Sequence, residues 1–233
     1  MRHKLALALL AAGAAVPATA ATRDFPVGGF DRIASAGPFD VKVHVGGAPG
    51  VRAEGPQEVL DRLKIEVRNG RLWIGTKPGS WSFGGWHWFG HQQKTVINVV
   101  APTLSGASIS GPGDMWIDHA RARTFDASIA GPGDMKIGML ETVDAHFEIS
   151  GPGNITVAGH ASRSQMEVSG PGDIHAKDFV SLELGVNVSG PGGITTHAVH
   201  SASGNVSGPG DVHIGGTTNC SIRKSGPGTV RCG

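Results

Sequence analysis

The sequence predicts an all-β fold: a parallel β-helix, or β-solenoid, of about seven or more coils of 18–20 residues, preceded by a β-rich N-terminal part with one short helix. The tripeptide Gly-Pro-Gly occurs seven times at spacings of 18 to 20 residues. Apolar and polar residues alternate on both sides of each copy, which is the period of a β-strand. Equivalent positions of successive units carry residues of the same kind, so stacked units would present the same side chains to one core.

Residues 1–21 have the features of a secretory signal peptide. Residues 2–4 are basic, residues 5–16 form an apolar run, and Ala-Thr-Ala at 18–20 supplies small residues for a signal peptidase. A membrane anchor is the alternative, but the run is shorter than the roughly 20 apolar residues that span a bilayer. We expect export to the periplasm or cell surface, cleavage near Ala20 or Ala21, and no transmembrane segment in the mature chain.

The charge balance argues against a nucleic-acid partner. Removal of the signal peptide takes away Arg2 and Lys4, so the basic residues fall from 20 to 18 against 19 acidic ones. A nearly neutral chain lacks the excess of positive charge that binding to phosphates demands.

Residues 22–104 form the predicted N-terminal β-rich part. Ala36 to Val41 looks like a degenerate copy of the repeated turn, and Asp40 to Val45 alternates like a strand. Residues 56–63 predict one short helix with Pro56 in its first turn. Asn69-Gly70 between two apolar stretches predicts a tight β-hairpin, and residues 95–100 predict a further strand.

An aromatic segment at residues 79–91 interrupts this part. It contains three of the five Trp and two of the eight Phe of the chain: Trp81, Phe83, Trp86, Trp88 and Phe89. The segment also contains four Gly residues, so it is predicted to be a loop. Such a loop could bind sugar rings through its indole faces, contact a lipid interface, or fold back and cap the first coil.

Residues 105–233 form the predicted solenoid. Pro and the following Gly in each copy suit a type II turn, in which that Gly adopts a positive φ. Parallel stacking places these turns in one column, whereas an antiparallel β-prism-like arrangement is the alternative. The turns begin at Gly111, Gly131, Gly151, Gly170, Gly190, Gly208 and Gly226.

The two cysteines, Cys220 and Cys232, predict a disulfide that closes the last coil. They lie six residues before and six after Gly226, at positions that are apolar in the second unit (Phe125 and Ile137). Both sulfur atoms are therefore expected to point into the core of the final coil. Two free buried cysteines are the alternative.

The chain resembles a known family at several points. These are Phe30 to Ile33, Ala36 to Val41, Leu60 to Val67, Gly70 to Ile74 and the repeated Ser-Gly-Pro-Gly-Asp. Together they look like the auto-transporter adhesin head GIN domain, although family members usually carry Ser-Gly-Ser-Gly-Asp. The resemblance covers essentially the whole mature chain. It implies a right-handed β-helix-like domain exported to the bacterial envelope, and it brings no catalytic residues.

No pattern of catalytic or cofactor-binding residues is evident. The residue after each turn is often Asp, but the column includes Gly193 and Thr229, so backbone hydrogen bonding is favoured over a calcium ladder. His197 and His200, expected on a loop, have a spacing usable for zinc but lack supporting ligands. The acidic residues are expected to be scattered over several columns and not clustered at one lateral site: Glu141, Asp144, Glu148, Glu167 and Glu183.

We therefore expect no enzyme, no cofactor and no metal site. The sequence favours an exported binding, adhesion-type or surface scaffold protein whose partner is an envelope glycan or protein. A polysaccharide-degrading β-helix enzyme and a purely structural envelope component are the alternatives.

Overall fold

The computed structural model describes residues 20–78 and 94–233, which form one large sheet wound into a solenoid and one short helix. The fold class predicted from the sequence is confirmed. The strands are β1 Ala21–Phe25, β2 Arg32–Ser35, β3 Phe39–Val45, β4 Gly50–Gly55, β5 Leu63–Arg68, β6 Arg71–Thr76, β7 Thr95–Ala101, β8 Gly106–Ile109, β9 Met115–Ile117, β10 Ala120–Ile129, β11 Met135–Ile149, β12 Ile155–Val168, β13 Ile174–Val188, β14 Ile194–Val206, β15 Val212–Gly215, β16 Cys220–Lys224 and β17 Val230–Cys232, and helix α1 is Gln57–Arg62.

The repeat region stacks in parallel, coil upon coil. The long strands β10 to β14 pair in chain order, and each pair is parallel. Met135 pairs with Ile155, Ile155 with Ile174, and Ile174 with Ile194, so one repeat unit advances the chain by one level. This register excludes the antiparallel β-prism-like arrangement.

The inward residues form continuous apolar columns. Met135, Ile155, Ile174, Ile194 and Val212 lie above one another and are buried. Phe147 and Phe179 are fully buried and meet edge to face, with ring centroids 5.5 Å apart. The inward residues of the alternating strands therefore form a single core that runs through the stack.

The Gly-Pro-Gly corners lie in one column, but the predicted reason for their glycines is wrong. The second Gly of each corner is absent from the positive-φ residues of the described chain, so these corners are not type II turns. A Cβ added at Gly133 would instead overlap the carbonyl oxygen of Gly113 in the coil below. The Gly133 N–H donates to the Gly111 oxygen at 3.3 Å. Glycine is needed because adjacent corners pack backbone to backbone.

At the N-terminal end the stacking order differs from the chain order. The β2–β3 level lies between β6–β7 on one side and β8–β9 on the other, all in parallel. The degenerate turn at Gly37 aligns with the repeat, because the Gly113 N–H donates to the Gly37 oxygen at 3.2 Å. The chain therefore leaves the β2–β3 level, builds the outer level, and returns to the other side of β2–β3.

Antiparallel strands cover this end. β4 pairs antiparallel with β7 and β1, and β5 pairs antiparallel with β6. The β5–β6 hairpin turns through Asn69 and Gly70, both with positive φ (50° and 74°), as a type I′ turn requires. The predicted helix is present as α1, with Pro56 as its N-cap residue rather than in its first turn.

The predicted disulfide between Cys220 and Cys232 is present. It joins β16 to β17, and both cysteines are half-buried against the core. Cys220 continues the column of Phe125, as expected from the repeat spacing. The bond closes the last coil at the end of the stack.

Candidate binding surfaces

A ladder of Asp and Asn side chains follows the corner column and links consecutive coils. Oδ1 of Asp114 accepts from the Asp134 N–H at 2.9 Å, and Oδ1 of Asp134 accepts from the Asn154 N–H at 2.8 Å. In the same way, Oδ1 of Asn154 accepts from the Asp173 N–H, and Oδ1 of Asp173 accepts from the Gly193 N–H. The predicted structural role of these residues is confirmed, although each bonds the backbone of the next coil rather than its own turn.

A hollow lies beside this ladder on the outer face of the coils, and we call it the Trp116 hollow. Its volume is about 370 Å³. It lies between the ladder and the next outward column, in which Trp116 pairs with Lys136, Lys136 with Thr156, and Thr156 with His175. Its lining is Asp114, Trp116, Asp134, Met135, Lys136, Asn154, Thr156 and His175.

Sequence reasoning missed Trp116 as a site residue. Its side chain is 37% exposed, whereas the neighbouring Met115 and Ile117 are buried. Strand alternation predicts that Trp116 points outward, and a large aromatic at an outward position is the signal that could have marked it. The hollow itself depends on residues from three later coils, which only the stacking register brings together.

A second, larger depression, the lateral groove, runs across β10 to β14. Its volume is about 480 Å³. One wall is a column of outward residues that includes Asp144, Arg163 and Glu183. Its lining is Thr124, Asp126, Asp144, Ala145, His146, Arg163, Ser164, Gln165, Glu183, Leu184, Gly185, Ser201 and Ser203.

The five acids Glu141, Asp144, Glu148, Glu167 and Glu183 occupy three columns, as expected, and the lateral groove is lined by two that share one column, Asp144 and Glu183. Asp144 is held by Arg163, whose Nε and Nη2 lie 2.7 and 2.6 Å from its Oδ1. Below the groove floor the hydroxyls of Ser164 and Ser181 share a buried hydrogen bond of 2.5 Å. The two acids are separated by two coil spacings, or about 9.6 Å along the axis.

A smaller polar cluster surrounds Asp118 at the end of β9. Partial burial raises the pKa of Asp118, but hydrogen bonds from the backbone N–H groups of Val45 and His119 and from His44 outweigh it, so the pKa is lowered overall. His44 Nδ1 lies 2.5 Å from Asp118 Oδ2. The cluster ties β3 to the β9 level.

The predicted aromatic site, Trp81, Phe83, Trp86, Trp88 and Phe89, lies outside the described residues. Its place in the chain is defined by the strands on either side. Ile74 pairs with Ser35, and Thr95 pairs with Phe39. Residues 75–94 therefore join β6 to β7. In the adjacent level, Ala36 to Pro38 join β2 to β3 at the equivalent corner. Lys94 Nζ lies 3.3 Å from Asp40 Oδ2 at this point.

The histidines follow the register only in part. His175 and His213 share one outward column through Thr195, as expected. His197 and His200 lie within strand β14 and not on a loop, so that prediction is wrong. Among the described residues, no three His, Cys, Asp or Glu side chains are grouped so as to hold a metal ion.

Residues 29–218 match the family described as "Putative auto-transporter adhesin, head GIN domain". The chain belongs to this family. The resemblance noted in the sequence is thereby confirmed for a head GIN domain that includes the N-terminal levels as well as most of the repeat. No curated protein is detectably similar in sequence to this head GIN protein.

Crystal structures of bacterial proteins share the fold of this head GIN protein. A "putative adhesin" from Bacteroides fragilis NCTC 9343 is 23% identical with a TM-score of 0.81, covering 92% of this chain and 97% of the other. A "putative lipid binding protein" from Parabacteroides distasonis ATCC 8503 is 20% identical with a TM-score of 0.71, covering 92% and 98%. A "putative adhesin" from the same organism is 21% identical with a TM-score of 0.73, covering 93% and 98%.

Across residues 20–78 and 94–233, no helix of this head GIN protein has the length and hydrophobicity to span a bilayer.

Proposed function

We propose that this chain is an exported, non-enzymatic binding protein of the bacterial envelope, located in the periplasm or at the cell surface. Its partner is an envelope glycan or protein, bound through the aromatic residues between Trp81 and Phe89. Membership of an adhesin family supports a binding role.

The observation that carries the proposal is the place of the aromatic segment in the stack. The repeat coils turn this corner with a short Gly-Pro-Gly and the β2–β3 level turns it with Ala36 to Pro38, whereas β6 and β7 are joined by a long connection rich in Trp and Phe. A connection of this length is not needed to close a coil. Clustered aromatic side chains are typical of recognition sites, because they supply large contact areas at low entropic cost.

A glycan array tests this function directly. The double variant Trp86→Ala/Trp88→Ala is compared with the wild type, and Leu182→Ala/Val199→Ala serves as a control that removes two exposed apolar side chains elsewhere. We expect the Trp variant to lose binding and the control to retain it. Equal binding by both variants, or no binding by the wild type, would remove the glycan proposal, and capture of partners from envelope extracts would then test a protein partner.

A polysaccharide-degrading enzyme is the second candidate, because Asp144 and Glu183 line one groove. Their axial separation of about 9.6 Å is close to the upper limit of roughly 9.5 Å between the carboxyl groups of inverting glycosidases. Oδ1 of Asp144 is already engaged by Arg163, so the test of this candidate is placed on Glu183. Release of reducing ends from cell-wall glycans, abolished by Glu183→Gln, would establish this alternative.

A purely structural envelope component is the remaining alternative. It predicts altered envelope integrity after deletion of the gene together with no ligand in either binding experiment.

A further inference from the structure

We propose that the Trp116 hollow is a carbohydrate subsite that binds one or two neutral or amino-substituted sugar rings of an oligosaccharide. The inference rests on the proposed binding function but names a different surface from the aromatic segment. Four features support it: an aromatic plane, fixed acceptors, free donors and the local charge.

Trp116 supplies an exposed apolar plane on a rigid support. Its strand, β9, is paired on both sides, with Val41–Val43 of β3 and Met135–Ile137 of β11. Lys42 and Lys136 are its neighbours along the outward column. The C–H face of a sugar ring can stack on such an indole, and the supporting strands need not reorganise when it does.

The acceptors of the hollow are fixed before a ligand arrives. Asp114 and Asp134 each use Oδ1 to accept a backbone N–H of the next coil, at 2.9 and 2.8 Å. Asn154 Nδ2 also donates to Asp134 Oδ1 at 3.0 Å. These bonds hold the two carboxylates in place, so each Oδ2 can accept from sugar hydroxyls without a large loss of side-chain entropy.

The donors lie across the hollow from the carboxylates. Lys136, Thr156 and His175 follow Trp116 along one column. Within the described part of the chain these three side chains make no hydrogen bond or ion pair. Donors on one side and acceptors on the other match hydroxyl groups, which both donate and accept.

The charges limit the class of ligand. Two carboxylates, Asp114 and Asp134, line the hollow against one Lys, and no Arg lines it. This balance disfavours sulfated, phosphorylated or uronic sugars and favours neutral or amino sugars. The volume of about 370 Å³ lies within the range of small-ligand sites, roughly 300–1,000 Å³.

Calorimetric titration with chitotriose, cellotriose and maltotriose tests the proposal. We expect at least one trisaccharide to bind the wild type. Trp116→Ala should weaken binding by about tenfold or more, and Trp116→Phe, which keeps an aromatic plane, should stay within about threefold of the wild type. Asp134→Asn keeps the acceptor for Asn154 but removes the charge, and should weaken binding about fivefold.

Asp211→Asn is the matched control, because Asp211 makes the same bond to the next coil but lies outside the hollow. It should bind like the wild type. Circular dichroism establishes that each variant is folded. No binding of any trisaccharide, or wild-type affinity in folded Trp116→Ala, would overturn the inference. If only the Trp86/Trp88 variant loses glycan binding, the proposed function stands and the subsite at Trp116 does not.

Discussion

At the residue scale, this chain shows two different uses of glycine. Gly70 and Gly159 have positive φ (74° and 126°), which L side chains rarely adopt. Gly133 does not, yet it has no space for a side chain, because the carbonyl oxygen of Gly113 occupies the position of a Cβ. The sequence cannot show which use applies at a corner, because Gly133 after Pro132 would suit a positive φ equally well.

Replacement of Gly133 by Ala is expected to destabilise the protein by about 3 kcal/mol or more, because backbone on both sides must move to relieve the overlap. Gly29→Ala is the matched control, since a Cβ there meets nothing within 4 Å. Urea unfolding followed by circular dichroism measures both variants. Equal midpoints for the two would show that the corners are not packed as tightly as described.

Asp211, which follows the corner at Gly208, makes part of the stability dependent on pH. Hydrogen bonds from the Thr229 hydroxyl (2.7 Å) and the Thr229 N–H (2.8 Å) lower the pKa of Asp211, with the charge of Arg231 adding to them against a smaller effect of burial. The folded state therefore favours the carboxylate. This stabilisation is present above the unfolded pKa of about 3.9 and is lost as the pH falls through the lower folded pKa.

The stability difference between the wild type and Asp211→Asn should therefore be largest near neutral pH and should shrink below about pH 4. Thr229→Ala, which removes the hydroxyl donor but not the N–H, should show a smaller difference with the same sign. Urea midpoints at neutral pH and at several values below pH 5 give the measurement. A difference that does not vary with pH would contradict the assignment.

At the element scale, the structural features that depend on only a few residues could be predicted from local sequence signals. Asn69-Gly70 predicted the β5–β6 hairpin, because a type I′ turn needs positive φ at both central positions. Alternation around each corner predicted strands and their inward faces. Cys220 and Cys232 could be placed on inward columns from the repeat spacing alone, because the columns are in register, although both are only half-buried against the core.

The order of the N-terminal levels could not be predicted in the same way. The β2–β3 level pairs with β6–β7 and with β8–β9, and all three resemble each other in alternation. Which of them is outermost depends on the antiparallel pairings of β4 and β5, which are long-range contacts without a local sequence signal. The Trp116 hollow has the same origin, since its walls come from separate coils.

At the scale of the whole molecule, the stack behaves as a one-dimensional array in which each coil contacts only its neighbours. Stability in such arrays is approximately the sum of terms for each coil and each interface. The columns are nearly uniform between β11 and β13: Met135, Ile155 and Ile174 align, as do Ile149, Val168 and Val188. A whole coil is therefore an interchangeable unit, whereas part of a coil is not.

Deletion of residues 151–169 tests this property. It joins Ser150 to Gly170, so β13 would stack directly on β11 with every inward column intact, and the Asp173 N–H would meet Asp134 in the ladder. We expect a folded, cooperative protein with an unchanged β-sheet circular dichroism signal and a urea m-value lower by roughly a tenth, because less surface is exposed on unfolding. Deletion of residues 151–160 is the control, since it joins Ser150 to Ala161 and shifts the corner out of its column. That variant should not fold, and a folded half-coil deletion would contradict the requirement that the corners align.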